Sequence, residues 1–336
     1  MTSDDSSSTA DLGNLSRREF FAGAGATAGV AAALGTLGGL GAAFDAQGAV
    51  KRQYFSAYVG LELDGKFAGL LESAEGGEPV IVLTSAGPGR SRAIAGVRYE
   101  LLKLRLADMS PAMYGWIAEA TQGSAVGRKG AVVTGDPQQE TYRLAFQGAR
   151  LVEIQLDPLE SGRREAARFT VTIAPSSSSH VPAPGGKPFV ATTLKKSPLL
   201  VSNFRLYIKG LEATTQHVVS IDEIGLRGPL APTPDRREVP TIGPLTPLPL
   251  RFQLALVHAT PLYQWMNDTL AGKGGALQGE LQLLDPTMKK VVMSLSFDQL
   301  LITRISYPAQ SQRAAQLVEV ECEAAQIKLN PGELIQ

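Results

Sequence analysis

The chain states one pattern twice. Its two tryptophans, Trp116 and Trp265, sit in matching settings, Ser110-Pro111-Ala112-Met113-Tyr114-Gly115-Trp116 and Thr260-Pro261-Leu262-Tyr263-Gln264-Trp265, 149 residues apart (265 − 116). Phe55 and Tyr58 recur as Phe204 and Tyr207, and Asp136-Pro137 as Asp285-Pro286, at the same spacing (204 − 55, 285 − 136). Leu102, Leu104 and Leu106 recur as Phe252, Leu254 and Leu256 at 150 (252 − 102), and Phe146 and Ile154 as Phe297 and Ile305 at 151 (297 − 146). Small drifts of this kind are what loop insertions leave. A unit of this length is a whole domain, not a solenoid repeat of roughly 20–50 residues. The sequence therefore predicts two similar domains in tandem, with a function that uses the pair.

The length of 336 residues suits two domains, each long enough to bury its own core. The formal net charge is zero, from 32 basic and 32 acidic residues, so the chain carries no electrostatic footprint for nucleic acid or an anionic membrane. Charged residues make up 19%, below an average of about 25%, which points to surface covered by a partner, although the apolar leader dilutes charge as well. One cysteine, Cys322, excludes an intramolecular disulfide. Its place in the alternating Leu317-Val318-Glu319-Val320-Glu321-Cys322 turns it inward, as does its repeat counterpart Ile173. One Cys and three scattered His (His180, His217, His258) offer no zinc or iron spacing, so no metal is expected.

Residues 1–50 read as a leader. Residues 1–15 are polar and rich in Ser and Asp; Ser16-Arg17-Arg18-Glu19-Phe20-Phe21 follows, then an Ala/Gly-dominated run from Ala22 to Ala43. A basic region ahead of a modest apolar stretch is a targeting segment. Ser16, Arg17, Arg18 and Phe20 resemble the twin-arginine signal, which implies export of an already folded protein to the periplasm, envelope or exterior. A plain membrane anchor or a helix of the fold are the other readings. Gly41-Ala42-Ala43 offers small residues for cleavage; an uncleaved leader would tether the protein. Gly23 to Gly29 lacks the strand that precedes a dinucleotide loop, and Gly272-Lys273-Gly274-Gly275 lacks the rest of a phosphate loop, so no cofactor is expected.

Most of each repeat is β by pattern. Tyr58 to Leu63 alternates, Asp64-Gly65 is a strong hairpin signal, and Phe67 to Leu71 returns. Leu102–Leu106, Tyr142–Phe146, Leu151–Leu156 and Phe169–Ile173 complete the first repeat. Phe204–Ile208, Leu250–Val257, Leu277–Leu284, Val291–Phe297, Leu301–Ser306 and Leu317–Ile327 form the second. One helix interrupts each set. Ser110 and Thr260 are N-cap candidates, followed by Pro111 and Pro261 at the first helical position, and Gly123 and Gly272 are stops. Tyr114, Trp116, Tyr263 and Trp265 are expected to form the repeated structural core on these helices. The predicted domains are 51–175 and 201–330, joined by a Ser/Pro/Gly linker at 176–200 in which His180 is solvated. Two long loops, Ser85–Arg92 and Arg227–Leu248, fall at corresponding places, and recurrence favours binding.

Hairpin, long loop, strand, capped helix with Tyr-x-Trp, then three or four strands: this order resembles the tail-tube proteins of contractile phages, type VI secretion and extracellular injection systems. The residues that carry it are Phe55 to Gly65, Leu102 to Trp116 and Gly135 to Ile173, with 202–329 following more loosely. The resemblance implies a mainly β (α+β) fold, two tandem β-sandwich or partly open barrel domains each with a flanking helix. It also implies that six such domains pair sheet edges around a ring and that rings stack into a tube. Two domains in one chain and the leader depart from the family pattern. Three copies would supply six domains, and an exported ring or filament at the envelope accommodates the leader. The implied partner is another copy of the chain, with other tail-tube-like or envelope proteins as further candidates.

Catalysis finds little support. Three His and no Gly-x-Ser-x-Gly argue against a Ser/His/Asp hydrolase, His258 reads as a strand-end histidine, and Asp136 and Asp285 read as turns. Paired glycosidase carboxylates would meet only in space and stay open. The expectation is a non-enzyme, with an exported two-domain β binding module as the alternative to a self-assembling one.

Overall fold

The computed structural model describes residues 58–84, 92–124, 126–136, 139–182, 199–231, 241–307 and 316–332. They belong to one compact unit, Tyr54–Gln336. The leader with Ser16, Arg17, Arg18 and Phe20, and the residues Phe55 and Pro137, lie outside the described residues. The first half runs β1 (Tyr58–Leu63), β2 (Lys66–Gly76), β3 (Pro79–Leu83), β4 (Ile94–Tyr99), β5 (Leu102–Leu106), α1 (Pro111–Thr121), β6 (Arg128–Gly135), β7 (Glu140–Leu156), β8 (Leu159–Glu160), β9 (Phe169–Ala174) and β10 (Ser177–Val181). The second runs β11 (Phe204–Ile208), α2 (Glu212–Thr215), β12 (Val218–Ile221), β13 (Ile224–Arg227), β14 (Leu230–Ala231), β15 (Thr241–Ile242), β16 (Thr246–Pro247), β17 (Leu250–Ala255), α3 (Thr260–Leu270), β18 (Leu277–Leu284), β19 (Val291–Ser306), β20 (Leu317–Glu323) and β21 (Gln326–Pro331).

The fold is mainly β, as the sequence predicts, with one closed six-stranded barrel and one nearly closed barrel-like sheet. The first closes in the order β1-β2-β5-β9-β7-β6, with β6 returning to β1. Alternation drives the closure: Leu61, Leu63, Leu102, Leu104 and Leu106 all bury on the inner face. Asp64 and Gly65, at φ 51° and 79°, form the tight turn between β1 and β2 that their sequence predicts. The second sheet follows the same order, β11-β18-β19-β20-β17-β12, but β12 does not return to β11. Between those two strands the short helix α2 stands where the first half has its hairpin, so closure stops one strand pair short.

The two sheets share their registers. Gly130 faces Phe146 in the first and Gly279 faces Phe297 in the second. Ile154 faces Val171, and Ile305 faces Val320. Leu102 faces Ile173, and Leu250 faces the fully buried Cys322, so the cysteine is the inward core residue that the alternation predicts. Burial pushes its thiol up to about 12. Two echoes shift. The pairings put Leu102 and Leu106 in the places of Leu250 and Leu254, not of Phe252 and Leu256. Leu61 and Leu63 take the places of Leu206 and Ile208, while Tyr58 and Tyr207 sit opposite Gly135 and Glu280, at unrelated levels of their sheets. The 3-10 turn Leu256–His258 inserts residues before α3 and accounts for the first of these drifts.

The long strands are the main departure from the predicted elements. Tyr142–Phe146 and Leu151–Leu156 form one strand, β7, and Val291–Phe297 and Leu301–Ser306 form one strand, β19. Each bends once at a left-handed residue, Gly148 at φ 57° and Gln299 at φ 52°, in corresponding positions. A bent strand can serve two stretches of sheet, which is why a glycine there reads as a break. Leu317–Ile327 divides the other way, into β20 and β21. Ser177–Val181, at the start of the Ser/Pro/Gly segment, adds to β7 as a strand, and His180 meets Glu78 at 2.5 Å.

Both helices lie against the core. The Ser110 hydroxyl accepts from the Met113 amide at the start of α1, and Met113, Trp116 and Ile117 are buried. Thr260 is already helical: Ala259 holds helical backbone angles, φ −86° and ψ −9°, as the preceding turn runs straight in. Gly123 and Gly272 end the two helices at positive φ. One continuous apolar core runs through both barrels.

The bends give a paired prediction. A Cβ on Gly148 would lie 2.4 Å from the Ser176 hydroxyl, in a left-handed conformation. Gly148→Ala should therefore cost at least about 1–2 kcal/mol of unfolding free energy in urea. Gln299→Gly should stay within about 1 kcal/mol of the parent, because glycine relieves the strain while adding chain entropy.

Candidate assembly surface

The candidate surface is made of strand edges. A strand edge carries unpaired backbone N–H and C=O groups and so templates a further strand. Within this chain one such edge is used to join the barrels. The C-terminal half of β7 continues through Asp157 and Pro158 into β8, and this stretch runs antiparallel to β12 and β13. Glu160 faces Ser220, Leu159 faces Ile221, Leu156 faces Ile224 and Glu153 faces Arg227, in one unbroken register.

An ion pair crosses the junction, and a charge network within the first half flanks it at Asp157. Arg227 donates to Glu153 at 2.5 Å. Arg105 grips Asp157 with both guanidinium nitrogens, at 2.9 and 2.6 Å, and donates its Nε to Glu72 at 2.7 Å. Arg168 donates to Glu72 at 2.9 Å and to the Ala107 carbonyl at 2.8 Å. Burial alone would raise the Glu72 carboxyl, but the hydrogen bonds from Arg105 and Arg168 outweigh it and hold the group below its ordinary value. At the end of α1, the Thr121 carbonyl accepts from Gln326 at 3.2 Å, so the first helix touches β21 of the second half. A cleft of about 380 Å³ opens there, lined by Thr121, Leu226, Pro247, Asp298 and Gln326 among others.

The same parts occur a second time without partners. The ladder that joins β2–β3 to β4–β5 matches the one that joins β12–β13 to β16–β17. Pro79 faces Tyr99 as Leu226 faces Pro247, and Val80 faces Arg98 as Arg227 faces Thr246. Both ladders carry a bulge at the same level, after Leu71 and after Val218. Yet among the described residues no further strand pairs with β3, nor with the side of β19 that β18 leaves beyond Leu300. The β3–β4 hairpin exposes Ile81 and Ile94 at 59% and 67%.

The aromatic residues singled out in the sequence serve the helices that flank this surface. Trp116 is buried, and Tyr114 is buried deeply enough that desolvation pushes its phenol well above the usual range. Trp265 is buried and donates Nε1 to the Gly275 carbonyl at 3.3 Å. Tyr263 is half-buried and shares a 2.6 Å hydroxyl contact with Tyr307, its phenol pushed up to about 12 by burial first and by Tyr307 second. The four are divided between two helices and do not form one site. Asp136 and Asp285 are turn residues: Asp136 accepts from the Gln139 amide and Asp285 from the amides of Lys289 and Lys290. Sequence reasoning missed the stacking of His217 on His258, with ring centroids 3.6 Å apart, because the contact joins residues far apart in the chain. It also missed the edge junction, since β8 and β13 are two and four residues long and carry no periodicity of their own. Among the described residues no group of three His, Cys, Asp or Glu side chains is placed to hold a metal, and no helix is long and apolar enough to cross a membrane.

No family model matches the sequence, and no curated protein matches it. Among solved structures, the chain is similar to a component of the anti-feeding prophage (AFP) baseplate, with 8% identity and a TM-score of 0.27 over 53% of this chain and 92% of that one. It is similar to a chain of the PVC sheath-tube complex, an extracellular contractile injection system in its extended state, with 12% identity and a TM-score of 0.35 over 43% of this chain and 99% of that one. A third neighbour belongs to the tube-terminating cap of the anti-feeding prophage, with 11% identity and a TM-score of 0.34 over 43% of this chain and 99% of that one.

The ion network makes a prediction with a sign. The depressed Glu72 carboxyl adds stability above its unfolded value of about 4.3, and that stability is lost as pH falls below it. Unfolding midpoints measured from pH 6 to pH 3 should fall less steeply in Glu72→Gln than in the parent. Arg105→Ala should cost about 1 kcal/mol at pH 7, a figure set by the partial solvent screening of its carboxylate pairs.

Proposed function

We propose that this chain is a structural subunit that assembles with copies of itself through sheet edges into a ring or stacked rings, after the manner of tail-tube proteins. The observation that carries the reading is the junction inside the chain. Two barrels of matching register are already joined edge to edge by strand pairing, and the edges that would extend the series are left over. An internal duplication accounts for the shared registers. Three copies then supply six barrels, the count that a pseudo-sixfold ring needs. The resemblance of Ser16, Arg17, Arg18 and Phe20 to a twin-arginine signal supports the reading that the folded subunit is exported, to act in the periplasm, at the envelope or outside the cell. No catalytic role is proposed for any residue. The second reading, an exported binding module, rests on the cleft beside Thr121 and Leu226.

Light scattering across a hundredfold range of concentration, with negative-stain microscopy of the same samples, tests the reading. The expected outcome is a discrete oligomer, a trimer by mass, with a central hole. A monomer at every concentration would contradict self-assembly and leave the binding module as the better reading.

A further inference from the structure

We infer that the outer edge of β3 in one copy pairs antiparallel with the free edge of β19 in the next, in the register of the junction inside the chain. The inference rests on the proposed self-assembly and names the contact that produces it.

The template is internal. In the first half, β7 and the C-terminal end of α1 form one face; in the second half, the β12–β13 ribbon and β21 form the face that meets it. The second half has its own copy of the first face, namely β19 beyond its bend at Gln299 and the C-terminal end of α3. The first half has its own copy of the second face, namely the β2–β3 ribbon and β10. Neither copy can be satisfied within the chain, because each half has already given its other face to the junction. A neighbouring molecule brings them together head to tail, an arrangement that closes into a ring or runs on as a filament.

Exposure agrees with this placement. Both faces carry large apolar side chains left in solvent: Ile81, Leu83 and Ile94 on the hairpin, and Leu270, Leu301 and Tyr307 around the end of α3 and the β19 edge. Leu270, 74% exposed, takes in α3 the place that Thr121 takes in α1, and Thr121 is the residue that touches β21. Transferring the junction register sets Arg304, the counterpart of Glu153, opposite the partner copy's Val80, the counterpart of Arg227. Arg304 has no ion pair among the described residues, whereas Glu153 is paired with Arg227. The ribbon reaches outward because Gly76 and Gly77 turn it at φ 79° and 83°, with the Ser178 hydroxyl holding the Gly77 carbonyl.

Disulfide trapping in the full chain tests the contact. The buried Cys322 stays in place. Val80→Cys combined with Arg304→Cys should cross-link copies to one another on mild oxidation, giving a ladder of covalent multiples on a reducing-agent-sensitive gel. Each single variant should give none. Glu153→Cys with Arg227→Cys should form a disulfide within one chain, which shows that this register accepts the bond and that the protein folds. If light scattering finds an oligomer but the Val80/Arg304 pair does not cross-link while the control does, the edge assignment is overturned and self-assembly stands. If the protein is monomeric throughout, both fall together.

Discussion

Sheet edges govern this structure, and one edge pairing does most of the organising. Backbone groups along an edge must find partners or stay in water, and closing a sheet on itself removes the problem. The first barrel closes fully. The second does not, because α2 replaces the β1–β2 type of hairpin and leaves β12 without β11 as a neighbour. On the side that β11 leaves, β8 of the first barrel lies along β12, and β7 lies along β13 in the same register. This strand pairing joins the two halves, and one continuous core runs through both.

Much of the architecture was legible in the sequence. The recurrences around Trp116 and Trp265 pointed to two sheets of matching strand order, Asp64-Gly65 gave the first hairpin, and the alternation through Cys322 gave its burial. Ser110 and Pro111 gave the start of α1. These signals are local, and local residues decide them. The failures have physical causes as well. Gly148 at φ 57° bends β7 without ending it, yet in a sequence it looks like a stop, and Gln299 does the same job with no signal at all. The echo of Tyr58 in Tyr207 was a coincidence of composition that strand pairing does not support. The edge junction is tertiary, made by short segments whose identity depends on what they lie beside.

The proposed assembly surface was legible only in outline. Low charge hinted at a covered surface, but did not show which edge was spent and which was free. That distinction comes from comparing two halves of one molecule: the same ladder is buried against β7 in one half and solvent-facing in the other. Repetition inside a chain makes each half a control for its partner. The ribbons differ in chemistry: Arg227 on β13 pairs with Glu153, whereas its counterpart Val80 is apolar and half-buried.

The most direct test of the account is a cryo-electron microscopy reconstruction of the assembled full chain at a resolution that separates strands. The account predicts that the sheet runs on without interruption from β19 of one copy into β3 of the next, with Arg304 opposite Val80. Copies that touch through other surfaces, leaving both edges in solvent, would contradict it.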